Sequence, residues 1–111
     1  MIYLASPYSH PDRTVEALRF GEVCRIAGVL MARGLIVFSP IAHTHPIAER
    51  CDLPRGWDYW KHFDEEFIDA SEKVIVAMMP GWEQSKGIAG EIRIAKEKGI
   101  PVEYLDPNKL C

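Results

Sequence analysis

The chain has 111 residues, 48% of them hydrophobic and 26% charged, with a formal net charge of -3. That is enough for one domain with its own core, spanning 1–111, and the slight acidity gives no reason to expect a nucleic-acid polymer or an anionic membrane as partner. No apolar stretch approaches the ~20 residues of a membrane-spanning helix, and Met1–Ala5 lacks the basic start of a signal peptide, so a cytoplasmic location is expected.

The cysteines, Cys24, Cys51 and Cys111, are odd in number and lack CxxC spacing. Neither a disulfide framework nor a zinc site follows. Cys24 falls among apolar positions of a helical pattern and is expected in the core. Cys111 is expected to be incidental.

Ile2-Tyr3-Leu4-Ala5 is a short apolar strand that stops at Ser6-Pro7. Asp12 is the N-cap candidate for a helix running to Arg33, with Ser9 and Thr14 as competitors. Val15, Leu18, Val23, Ile26, Ala27, Leu30 and Met31 recur at helical spacing, and Gly34 closes the helix. Leu35–Phe38 is a second strand, stopped by Ser39-Pro40. The stretch from Ile41 to Arg55, rich in His, Pro, Arg and Asp, suits an irregular or briefly helical loop over a site. Trp57–Ser71 is a helix with Trp60, Phe63, Phe67 and Ile68 on one face. A third strand follows at Lys73–Met79, a third main helix at Gly87–Lys98, and a proline-led edge strand at Pro101–Leu105.

This alternation predicts an α/β fold: a doubly wound three-layer domain with a four- to five-stranded parallel sheet. Right-handed crossovers give the strand order 2-1-3-4, a flavodoxin/Rossmann-like arrangement. The order reverses between the first and third strands. Ligands of open α/β sheets bind at such a point, beyond the carboxyl ends of the strands. Ala5–Tyr8 and Pro80–Gly87 therefore meet at one predicted cleft.

The chemistry-bearing residues converge there. Glu91 follows the loop Gly81–Gly87 about one turn into its helix, where a helix N-terminus would keep it ionised. An ionised, positioned carboxylate suits a nucleophile in glycosyl transfer, although on spacing alone a dipole-complementing Glu is the commoner case. Asp64 belongs to an acidic run with Glu65 and Glu66, yet it flanks the apolar face and is the acid best placed to enter a pocket. Ser85 suits either an N-cap or a phosphate contact. Ser6 and Tyr8 offer a hydroxyl and a ring at the first strand's end. His45 is expected to line the pocket, and Trp82 to contact ligand or a second subunit, whereas Trp60 is expected in the core. His43 and His45 form an H-x-H pair without further ligands at useful spacing, so neither a metal nor a cofactor is expected.

These motifs resemble the nucleoside 2-deoxyribosyltransferase-like superfamily, and within it a small uncharacterised branch of the DUF1937/DUF4406 type. The resemblance rests on Ile2–Tyr8, the Ser39-Pro40 turn, Asp64, Pro80–Gly87 leading to Glu91, and Ala95 through Val102, nearly the whole chain. It implies that Glu91 attacks C1′ of a deoxyribosyl group and that Asp64 orients the base or assists its protonation. It implies that Tyr3, Ser6 and Tyr8 line the sugar and base site, with Gly87 beside them. Relatives acting on free nucleosides carry Asp where this chain has Ser85, and those hydrolysing nucleoside 5′-monophosphates carry Ser. A nucleotide ligand is therefore expected, with Arg13 standing in as the basic phosphate contact. The implied activity is an N-glycosidase or deoxyribosyltransferase acting as a homo-oligomer, dimer or tetramer, with Trp82 and Ile41–Trp57 at the contact. The alternatives are a non-catalytic nucleotide- or nucleotide-sugar-binding module, and a metallohydrolase built on His43 and His45.

Overall fold

The computed structural model describes residues 1–110, so the expectation for Cys111 falls outside the described residues. The first strand, β1 (Ile2–Ala5), is buried on both faces, and its side chains alternate between two cores. Ile2 and Leu4 pack with Val23, Ile26 and Leu30 of helix α1 (Arg13–Ala32). Tyr3 and Ala5 face the other way. They pack with Ile68 of α3 (Trp57–Asp69) and with Ile88 and Ile94 of α4 (Lys86–Glu97). One strand thus serves two helical layers, which is what a doubly wound sheet requires.

Strands β2 (Val37–Phe38), β3 (Lys73–Ala77) and β4 (Val102–Leu105) complete a four-stranded, wholly parallel sheet of order β2-β1-β3-β4. The predicted order and flavodoxin/Rossmann-like architecture are both observed. Central β1 and β3 read as apolar runs, while edge strand β4 leaves Glu103 and Tyr104 exposed. No helix among the described residues is long and apolar enough to cross a membrane.

Local signals set most boundaries. The Asp12 carboxylate accepts from Thr14 N–H at 2.8 Å and caps α1, and Gly34, at φ 89°, follows its last turn. Ser85 caps α4 by accepting from Ile88 N–H at 3.2 Å.

Three expectations need correction. The segment after β2, expected to be irregular or briefly helical, is a full twelve-residue helix, α2 (Pro40–Cys51). Ser39 caps it by accepting from Ala42 N–H, and Pro40 occupies its first turn, where a missing N–H costs nothing. Cys24 is exposed, as are Leu18 (69%) and Met31. At 100° per residue Leu18 lies about 140° around α1 from Val23, outside the stripe the sheet covers. Leu35 and Ile36 are exposed and precede β2, which is only two residues long.

Candidate active site

A cleft of about 390 Å³ opens beyond the carboxyl ends of β1 and β3, where the strand order reverses. Ser6 and Tyr8 enter it from the exit of β1, and Ser85 and Gly87 from the start of α4. Arg19 of α1 holds the first of these exits by donating to the carbonyls of Tyr8 and Ser9 at 3.2 and 3.1 Å. Its guanidinium also lies against Gly81, whose φ of 90° turns the chain leaving β3.

Glu91 and Asp64 form one wall, from α4 and α3, and are only 4% and 7% exposed. Tyr3 lies beneath them, fully buried, and its hydroxyl donates to Glu91. Burial pushes the Glu91 carboxyl well above the usual range, Asp64 adds to this by charge repulsion, and the Tyr3 hydrogen bond opposes both. Burial likewise lifts Asp64 from its ordinary 3.8 to about 7, again opposed by Tyr3. The Tyr3 hydroxyl is itself raised, first by burial and then by the two carboxyls. The expectation that a helix N-terminus keeps Glu91 ionised is therefore corrected. Glu91 is the sixth residue of α4, beyond the reach of the free first-turn N–H groups, and desolvation dominates.

Helix α2 lines the cleft through Pro40, Ile41, Thr44, His45 and Ala48, with α1 packed behind His45. His45 stacks on Phe20 with ring centroids 4.3 Å apart, and its Nδ1 shares a hydrogen bond with the Tyr8 hydroxyl at 2.5 Å. Arg55, on the loop between α2 and α3, also lines the cleft. Glu49 pairs with Arg55 at 2.6 Å, and buried Glu16 of α1 lies 3.6 Å from its Nε. Glu16 additionally accepts from His10 N–H. The Arg55 carbonyl accepts from Ser9, and the Pro54 carbonyl accepts from Trp60 Nε1 at 2.7 Å, so both neighbours tether this loop.

Not every expected residue reaches the cleft. Tyr3, Ser6, Tyr8, His45, Asp64, Ser85, Gly87 and Glu91 gather there or directly beneath it. Arg13 sits exposed at the start of α1, and Arg55 is the arginine at the cleft instead. Trp82 packs against Tyr104 on the far side of β3, at 5.8 Å, and Trp57 and Trp60 line the cleft in its place. Trp60 is consequently half-buried rather than core. His43 stacks on Phe63 while His45 stacks on Phe20, so the H-x-H pair diverges. Among the described residues no three His, Cys, Asp or Glu side chains assemble as a metal site.

Trp57 was within reach of sequence reasoning, because Gly90 is its counterpart. The indole lies directly over Gly90, where any Cβ would overlap the ring. A helical glycine next to a candidate catalytic residue marks such a close approach. Arg55 carried no local signal, since its place depends on Glu16, thirty-nine residues earlier.

Two further features bear on ligand charge. The N-terminal ends of α2, α3 and α4 all border the cleft, through Pro40, Trp57 and Lys86. The Ser6 hydroxyl, buried to 6% exposure, has no partner among the described residues. No curated protein matches the chain. The sequence model of one family matches residues 1–106, and the chain belongs to that family, a domain of unknown function (DUF1937).

Proposed function

We propose that the protein cleaves the N-glycosidic bond of a (deoxy)nucleoside or its 5′-monophosphate, passing the sugar to water or to a second base. The observation that carries this reading is the buried Tyr3–Glu91–Asp64 cluster on one wall of a cleft of nucleoside size. The resemblance to the nucleoside 2-deoxyribosyltransferase-like superfamily points the same way.

Two carboxyls raised by burial and facing one hydroxyl titrate as a coupled unit. Tyr3 aims its O–H at Glu91, which favours the charge on Glu91 and the proton on Asp64. Ionised Glu91 attacks C1′ as the C1′–N bond breaks and its electron pair leaves with the base. The resulting glycosyl ester is opened by water or an acceptor base, and Glu91 is regenerated. The three helix N-termini and the Ser85 hydroxyl favour a phosphate on the ligand over a neutral sugar end. We place the protein in the cytoplasm as a homo-oligomer, with exposed Ile47 and Tyr59 supplying apolar surface on α2 and α3.

The test is a screen of deoxyribonucleosides and their 5′-monophosphates, with free base followed by chromatography. Base release that disappears in Glu91→Ala supports the reading, and release that persists refutes it. Burial of Glu91 favours one second reading, a non-catalytic nucleotide-binding module, because a carboxyl held above its usual range is a weaker nucleophile at neutral pH. That reading predicts thermal stabilisation by nucleotides without base release.

A further inference from the structure

In-line attack at C1′ places the departing base on the far side of the sugar from Glu91. A proton donor to that base must therefore stand across the cleft. Asp64 fails this condition, because its carboxyl and that of Glu91 face the same Tyr3 hydroxyl from adjacent helices. We infer that His45 is the catalytic acid that protonates the leaving base. This rests on the glycosidase reading and adds to it the origin of the proton.

His45 belongs to α2, lies against Phe20 of α1, and lines the same cleft as Asp64 and Glu91 from a different helix than either. Stacking at 4.3 Å and 23° fixes the plane of the ring, and Tyr8 engages Nδ1. Nε2 makes no hydrogen bond to protein among the described residues and is the nitrogen left for ligand. Tyr8 is 8% exposed and has Arg55 as neighbour, so the partner that orients His45 is itself held. Fixing one imidazole nitrogen to direct the other is a general device of acid–base catalysis.

The step balances simply. Protonated His45 gives its Nε2 proton to a ring nitrogen of the base while the C1′–N electron pair moves onto the base. A C1′–O bond to Glu91 forms, and neutral imidazole keeps its Nδ1 proton toward Tyr8. When water opens the ester, its proton returns to imidazole. Tyr8 is a positioning residue, acting only through His45.

A leaving group that needs no proton separates this role from a structural one. Guanine methylated at N7 departs as a neutral base without protonation. The experiment measures kcat/KM for deoxyguanosine 5′-monophosphate and its N7-methyl counterpart, in wild type, His45→Gln, Tyr8→Phe and Asp64→Asn. The expected result for His45→Gln is a loss of about 10²–10⁴-fold on the ordinary base. On the methylated base the loss should be at most a few-fold. Tyr8→Phe should show the same selectivity, weaker, and Asp64→Asn should lose activity on both substrates alike. Equal losses in His45→Gln on the two substrates overturn the inference and leave the glycosidase intact, as does a selective loss in Asp64→Asn. Absence of base release from either substrate by wild type overturns both.

Discussion

Neutralising the buried acid pair with Asp64→Asn and Glu91→Gln together should change how stability depends on pH. Both side chains are nearly inaccessible, and both carboxyls are raised by burial. A raised carboxyl means that the folded chain binds more protons than the unfolded one. Its contribution to stability is complete below the unfolded value and is lost as pH climbs through the folded value. For Asp64 that window runs from 3.8 to about 7. The difference corresponds to about 4 kcal/mol, and Glu91, raised by the same burial, adds to it in the same direction. The amides keep shape and volume, and the new amide carbonyl on α4 still accepts from Tyr3. The double variant should therefore match wild type near pH 4 and exceed it by at least about 4 kcal/mol at pH 8. In a domain of this size that is about 10–20 °C in Tm. Urea denaturation at intervals between pH 4 and 8 reads the difference directly, and the remaining carboxylates cancel between the two proteins. Parallel stability profiles would refute the assignment of Asp64 and Glu91 as desolvated acids.

Gly90→Ala should destabilise by about 1–3 kcal/mol despite the better helix propensity of Ala, because its methyl overlaps the Trp57 indole. Trp57→Leu should relieve that cost in the double variant, measured by thermal unfolding. Tyr3→Phe removes the donor to a buried carboxyl and should cost about 1–3 kcal/mol in urea denaturation. It should also depress base release, since Glu91 then holds its proton more tightly. Arg55→Met should weaken thermal stabilisation by nucleoside 5′-monophosphates more than by nucleosides, because Arg55 is the arginine at the cleft. Base release should be indifferent to EDTA, and loss of activity with chelator would favour the metallohydrolase alternative.

The sequence by itself determined the strand order, the two-layered cover of helices and the position of the cleft. These follow from signals local in the chain: the apolar run Val74–Ala77, the caps Asp12 and Ser85, and the glycines at 34 and 81. Connection handedness then leaves one arrangement of a βαβ alternation. Glu91 and Asp64 were legible as candidate site residues for the same reason, since each sits at a definable place on a helix, whereas Tyr3 entered only through the family resemblance.

Tertiary structure decided the rest. It made Pro40–Cys51 a helix, although Pro46 in its interior argues against one, by packing Ala48 and Thr44 inward. It left Cys24 and Leu18 outside the covered stripe of α1. It placed Arg55 and Trp57 at the cleft instead of Arg13 and Trp82, through partners on Glu16, Glu49 and Gly90 that lie far apart in sequence or on another helix. Above all it set the direction in which the Glu91 carboxyl shifts. A helix position alone argues for a lowered carboxyl, but burial beside Asp64 raises it, against the Tyr3 hydrogen bond. Desolvation depends on everything that surrounds a group, so only the assembled cleft fixes its sign.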